Sequence, residues 1–277
     1  MNLKSTWLKL LNLLITPLVR SHNSLLSKFI GLSAKSIYFI YENSNYDPYT
    51  NGEDRVLKEL CKIKRLQKDI FDVGANNGDW TEMARNICGN STRIHCFEII
   101  PDTFIHLKKK VKNLPNVVLN NVGLSNKEQN VTVFFDPNHS GTSTIFEPMF
   151  YGKEGHEKEC KVIEGDSYIK GNNIESIDYL KIDVEGMENL VLNGLKDTLE
   201  KKMINVIQFE YGMVNIQSKY LLKDFYELLT SYGYKIGKIY PGMVLFKEYE
   251  YYDENFIGPN YLAVHSECKD ILSRLGS

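Results

Sequence analysis

Two periods of hydrophobic patterning divide this chain. Residues 1–52 place apolar side chains at helical spacing, densest from Trp7 to Val19, with breaks at Pro17, Gly31 and Pro48. The turn-rich run Tyr46-Asp47-Pro48-Tyr49-Thr50-Asn51-Gly52 then predicts a boundary. Beyond it, short apolar runs alternate with amphipathic ones. Glu53 to Leu66 has a helical period, Asp69 to Val73 reads as a strand, and Gly78 to Ile87 reads as a helix stopped at Gly89. Arg93 to Phe97 is a second strand. Pro101 to Val111 is a helix with Pro first and Phe104, Leu107 and Val111 on one face. Val117 to Leu119 is a third strand.

An irregular stretch follows. Val131 to Phe135 alternates like an exposed strand, residues 138–141 read as a loop, and Thr142 to Phe146 and Lys161 to Glu164 read as further strands. Regularity returns with a strand at Ile177 to Ile182, a helix at Met187 to Leu199 and a strand at Ile204 to Phe209. A helix capped by Ser218 then ends at Tyr232-Gly233, and strands near 234–239, 244–247 and 261–265 finish the pattern. Repeated strand–helix units with buried strands predict an α/β fold with a Rossmann-like, doubly wound, mostly parallel sheet. The irregular stretch is an antiparallel insertion on it. The expected domains are a helical N-terminal extension, 1–52, and an α/β domain, 53–277.

Composition narrows the function. A net charge of -2 provides no basic field, so nucleic acid is not an expected partner. Cys61, Cys88, Cys96, Cys160 and Cys268 are dispersed and form no C-x-x-C pair, which argues against a disulfide framework or zinc site and fits a cytoplasmic location. Lys9, Asn12 and Pro17 interrupt the leucine-rich run, which falls short of the ~20 apolar residues of a membrane span. The segment reads as a helix packed on the main domain, or, more sharply, as a peripheral membrane contact through residues 1–30.

In doubly wound sheets, ligands bind outside the carboxyl ends of the strands, at the switch point. Here the first strand ends in Asp72-Val73-Gly74-Ala75-Asn76-Asn77-Gly78. Gly74 permits a sharp turn and Gly78 opens the next helix, in a G-x-x-x-G pattern unlike the G-x-G-x-x-G of dinucleotide enzymes. An acid at position 72 repels phosphate and attracts a cation. S-adenosylmethionine, with an ammonium, a sulfonium and no phosphate, suits such a tip. Glu98, ending the second strand, is placed to accept both ribose hydroxyls. Asn121, after the third strand, is placed for the adenine edge.

A second cluster follows the strand Ile177-Asp178-Tyr179-Leu180-Lys181-Ile182-Asp183. A lysine inside a buried strand needs a carboxylate partner, with Asp183 and Glu210 as candidates for Lys181. Both acids end adjacent strands and converge beside the cofactor. They act as a general base for an acceptor hydroxyl, hold a hard divalent cation, or form an internal ion-pair network; no metal is predicted. His139, in the run Pro137 to Ser143, is a further candidate base. Tyr249, Tyr251, Tyr252 and Phe256 either stack on a sugar or pack internally.

These residues resemble the FkbM-type methyltransferases. The likeness rests on the run from Asp72 to Gly78, Phe97-Glu98, Asn121-Val122-Gly123-Leu124-Ser125, Ser140-Gly141-Thr142-Ser143, the run from Tyr179 to Glu188, and Gln208-Phe209-Glu210-Tyr211-Gly212. It covers about residues 53 to 265, and Lys181 to Gly186 is its most specific segment. The resemblance implies S-adenosylmethionine as cofactor and O-methylation of a polyketide or sugar hydroxyl, with glycan pathways nearest. It also implies cofactor contacts at Asp72, Gly74, Asn76 and Glu98, and places Asp183 and Glu185 at the methyl-transfer site. The chain departs from Phe-Glu-Pro at Phe97-Glu98-Ile99-Ile100-Pro101. The competing functions are a nicotinamide-dependent oxidoreductase and a non-catalytic partner in glycan assembly.

Overall fold

The computed structural model describes residues 3–136, 139–146 and 156–276. By its internal contacts the chain forms two units, Met1–Ser44 and Asn45–Ser277.

The first unit holds α1 (Leu3–Arg20) and α2 (Leu25–Tyr41). The side chain of Ser24 caps α2 by accepting from Ser27 N–H, and the Ser27 hydroxyl donates to the carbonyl oxygen of Leu18 at 2.9 Å, tying the two helices together. No described helix is long and apolar enough to cross a membrane.

The second unit begins with α3 (Glu53–Lys62), β1 (Asp69–Val73), α4 (Asp79–Cys88), β2 (Arg93–Phe97), α5 (Pro101–Val111) and β3 (Val117–Asn120). Next come β4 (Gly123–Ser125), β5 (Gln129–Asp136), β6 (His139–Thr144), β7 (His156–Glu164) and α6 (Gly165–Gly171). The chain continues through β8 (Ile177–Ile182), α7 (Glu188–Asn193), α8 (Lys196–Glu200), β9 (Ile204–Glu210), α9 (Asn215–Ser218) and α10 (Leu222–Ser231). It finishes with β10 (Tyr234–Ile239), β11 (Val244–Phe246), a 3-10 turn at Tyr251–Asp253, β12 (Asn260–His265) and α11 (Lys269–Leu275).

Eight strands form one sheet in the order β11-β10-β12-β9-β8-β1-β2-β3. The run from β9 to β3 is parallel, and β12 inserts antiparallel between β9 and β10. Both faces are covered, which is why β1 and β8 are buried along their whole length. Alternation splits each strand between two cores. Phe71, Leu180, Ile182 and Phe209 pack on one face with Phe225 and Leu229 of α10. Ile70, Tyr179, Val206 and Leu262 pack on the other with Leu57 and Leu60 of α3 and Met83 of α4. A four-stranded sheet, β4-β7-β5-β6, forms the insertion; β5 is antiparallel to its neighbours, while β4 runs parallel to β7.

Several local expectations shift. The helix expected over Met187 to Leu199 is two short helices, with Gly194 between them packed so closely on Ser125 that a Cβ would stand 1.8 Å from its carbonyl oxygen. Ser218 does not cap the next long helix; it ends α9. Helix α10 begins after Leu221, whose N–H donates to the Asp224 carboxylate at 2.7 Å. From residue 139 the expected loop is strand β6, paired with β5, while Asn138 lies outside the described residues.

Candidate functional site

The carboxyl ends of β1, β2, β8 and β9 open into one cavity of about 560 Å³, within the size range of small-molecule sites. Gly74, Asn76, Glu98, Ser125, Asp183, Glu185 and Glu210 line it, and Met187, Leu190, Met213 and Val214 supply apolar wall.

The loop after β1 is shaped by close approach. Gly74 has φ +85°, and a Cβ there would lie 1.8 Å from the carbonyl oxygen of Asp183. Only glycine lets the end of β1 run this close to the end of β8. Asn76 also takes a left-handed backbone, and its N–H donates to Glu98 Oε2 at 2.9 Å. The N–H of Ile100 donates to Glu98 Oε1 at 2.8 Å. The two residues between Glu98 and Pro101 therefore close a small backbone ring on the acid, and Pro101 starts α5. Burial raises Glu98 against the pull of these two amides, to about 7.

Other expected cofactor residues sit outside this wall. Asp72 is fully buried: its Oδ2 accepts from the Thr81 hydroxyl at 2.6 Å and its Oδ1 lies 3.5 Å from Lys181 Nζ. Gly78 caps α4 with φ +90° and faces Leu107 and Val111 of α5, so its smallness serves helix packing. Asn121 is exposed and donates to the backbone oxygen of Glu98 at 2.8 Å, bracing the loop that carries the acid.

At the other end, Lys181 stands opposite Asp72 in the β1–β8 register. It is buried, donates to Asp183 Oδ2 at 2.9 Å, and lies 5.8 Å from the centre of the Trp80 ring. Of the two partners expected for it, the structure pairs it with Asp183, and adds Asp72, which the sequence did not suggest. Burial would lower the ammonium, but Asp183, Asp72 and Glu53 outweigh burial and raise it. Asp183 is lowered: burial pushes it up, yet Lys181 and a hydrogen bond from Glu210 win. Glu210 is raised far above the usual range by burial and then by Asp183 and Glu185. Glu185 moves the same way, through burial, Asp183 and Glu188. Asp183 and Glu210 are thus pushed in opposite directions, the divergence that separates an acid from a base in paired carboxyls.

The loop holding this cluster is strained. Glu185 is a non-glycine residue at φ +54°, followed by Gly186 at φ +98°. Glu188 Oε1 accepts from the N–H groups of Val184 and Gly186, and the Thr144 hydroxyl donates to the Glu185 carbonyl at 3.0 Å. Carboxylate oxygens of Asp183, Glu185 and Glu210 lie within 4.8 Å of one another, a spacing a hard divalent cation can bridge. His139 begins β6, and its side chain lies outside the described residues. Tyr251 and Tyr252 are exposed and line no part of the cavity, and Phe256 stacks on Tyr211 with ring centres 5.5 Å apart.

One group of cavity residues was missed from the sequence. Glu53, at the start of α3, accepts from Gln208 Nε2 at 2.6 Å and from Asn260 Nδ2 and Asn51 Nδ2 at 2.7 Å each. Tyr179 donates to Gln208 at 2.5 Å. Burial pushes Glu53 up against the pull of Lys181. Its one visible signal was polar residues, Gln208 and Asn260, in otherwise apolar strands.

A family model described as a methyltransferase FkbM domain matches residues 72–236. The hexuronic acid methyltransferase AglP of Haloferax volcanii is 23% identical over 199 residues, which cover 72% of this chain and 76% of that protein. Methyltransferase 1 of Beauveria bassiana is 28% identical over 156 residues, 50% of this chain and 62% of that protein. Among solved structures, the methyltransferase FkbM of Methylobacillus flagellatus superposes with a TM-score of 0.47 and 13% identity, over 73% of this chain and 44% of that one.

Proposed function

The chain belongs to the FkbM methyltransferase family, and from that premise we propose that it O-methylates a sugar hydroxyl with S-adenosylmethionine as donor. The observation that carries this is the single cavity joining the Gly74–Asn76–Glu98 end to the Asp183–Glu210 end. A binding place for a nucleoside and a base for an acceptor thus share one wall.

The residues fit the cofactor. Asn76 lines the cavity and its Oδ1 is buried with no hydrogen-bond partner among the described residues, an acceptor that an amine or hydroxyl would satisfy. Glu98, held by two backbone amides, keeps free lone pairs for ribose hydroxyls. The acids near Asp183 suit a cation and oppose a diphosphate. When bound, S-adenosylmethionine supplies a methyl group on a positively charged sulfur.

The chain's own residues then do two things. The cavity aligns the acceptor, which supplies most of the acceleration. A carboxylate oxygen of Asp183 takes the hydroxyl proton, while Lys181 holds Asp183 in place and Glu210 keeps its own proton on the shared hydrogen bond. Lys181 is a positioning residue, since Asp72 and Asp183 enclose its ammonium. A sugar acceptor draws support from the similarity to the hexuronic acid methyltransferase AglP.

Calorimetry with S-adenosylmethionine, with NADH as control, tests the cofactor. Labelled methyl transfer to a panel of neutral hexosides and hexuronosides tests the acceptor. Binding of NADH instead, or cofactor binding with no transfer to any sugar, rejects the proposal. The three clustered carboxylates favour a divalent-cation version as the alternative; full turnover in EDTA rejects that version.

A further inference from the structure

Helices α1 and α2 do not look like helices that have finished burying their apolar side. In α1, Lys9, Asn12, Thr16 and Arg20 recur every three or four residues and form one polar stripe, and most of the remaining circumference is apolar. In α2, Lys28 and Lys35 lie seven residues apart on one side, again beside a broad apolar sector. A water-soluble helix pair buries such sectors. Here Trp7 is 65% exposed, Leu13 80%, Leu25 88% and Ile40 79%, and neighbouring leucines and isoleucines are exposed with them. Contiguous apolar surface of this kind marks an interaction site.

The charge pattern says which kind. Lys4, Lys9, Arg20, Lys28 and Lys35 precede Glu42, and no aspartate or glutamate precedes it. The segment is uniformly cationic in a chain whose net charge is -2. Broad apolar sectors edged by basic residues, on helices too short and too polar to cross a bilayer, match a surface that is apolar in depth and anionic at its rim. We propose that α1 and α2 dock this protein on an anionic phospholipid surface, with the apolar sectors in the headgroup–acyl boundary and the lysines and Arg20 at the headgroups. A protein groove would cover one narrow stripe of each helix, and these apolar sectors are wider than that.

The test uses the full chain with vesicles of equimolar phosphatidylglycerol and phosphatidylcholine, and of phosphatidylcholine alone. Cosedimentation with the anionic vesicles is expected to exceed that with the neutral ones at least tenfold, and to weaken in salt. Trp80 is buried in the second unit, so a blue shift in emission on binding reports Trp7 and disappears in Trp7→Phe. Lys28→Ala and Lys35→Ala are each expected to lower the partition coefficient about fivefold. Leu14→Glu with Ile37→Glu abolishes binding while the melting of the second unit is unchanged. Equal binding to both vesicles, unaltered binding by the Leu14/Ile37 double variant, or self-association through these helices without lipid uptake overturns the proposal.

Discussion

The two ends of the cavity hold their carboxylates by different means. Glu98 is held by the backbone: two amide N–H groups, from Asn76 and Ile100, occupy one lone pair on each oxygen. Asp183 is held by Lys181 and by a hydrogen bond from Glu210, and Glu185 stands beside them among like charges. A carboxylate fixed by amides keeps its position whatever its neighbours do, which suits recognition of a fixed shape. A carboxylate fixed by other ionisable groups changes its proton affinity when any neighbour changes, which suits moving a proton. If the two ends divide the work as proposed, substitutions at one end leave the other's function in place.

The largest test removes the lysine that serves the second end. Lys181→Ala leaves Asp72 and Asp183 without their cation, Asp72 being fully buried. Breaking one partner out of a buried pair costs about 3–5 kcal/mol, or about 10 °C in Tm for a domain of this size. Thermal unfolding checks it, and a variant that melts like the wild type removes Lys181 from the account.

Asp183→Asn sharpens the separation. It keeps the shape and, on the proposed mechanism, loses the base, so labelled methyl transfer is expected to fall about 10²-fold or more. Affinity for S-adenosylmethionine is expected to stay within a few fold. A parallel loss of affinity would show that the two ends are not separable.

Glu98→Ala attacks the other end. Affinity for S-adenosylmethionine is expected to fall about tenfold, the worth of a hydrogen bond to a charged group. In the wild type, Glu98 is neutral below about 7 and accepts hydroxyls best when ionised, so affinity is expected to rise with pH through about 7. Calorimetry across pH 5.5 to 8.5 (about the span of the transition) reads both effects, and a flat profile identical in the variant removes the ribose assignment.

The smallest effect concerns Glu188, raised to about 7 by burial against the backbone hydrogen bonds it accepts. The ordinary glutamate value is 4.5, so between these values the folded chain holds a proton the unfolded chain has lost. That contribution is present below pH 4.5 and is lost as pH rises through about 7. Glu188→Gln removes the titration and leaves one amide unpaired, a net gain of about 1 kcal/mol at high pH. Melting at pH 8 is expected to rise by about 3 °C, with no gain at pH 5.

Much of this was legible from local pattern. The strands of the parallel core, the glycine bend at Gly74 and the acid ending β2 follow from runs of buried residues and residue types at strand ends. A lysine in an apolar strand announced a buried ion pair, because an unpaired ammonium there is too costly. Less legible were features set by distant approach. That Asp72 meets Lys181 depends on strand register, which is not written in either strand alone. Position 194 must be glycine because of Ser125, a neighbour in space only. Glu53 reaches Gln208 and Asn260 from far away in sequence.

By itself, the sequence determined the alternation of strands and helices, the family, and the set of acids available at the carboxyl edge, since these rest on periodicity and on residue type at strand ends. Tertiary structure decided which acids face the cavity and in which direction each is pushed. Those outcomes depend on burial and on distances of a few ångströms between side chains, and both exist only once the strands are side by side.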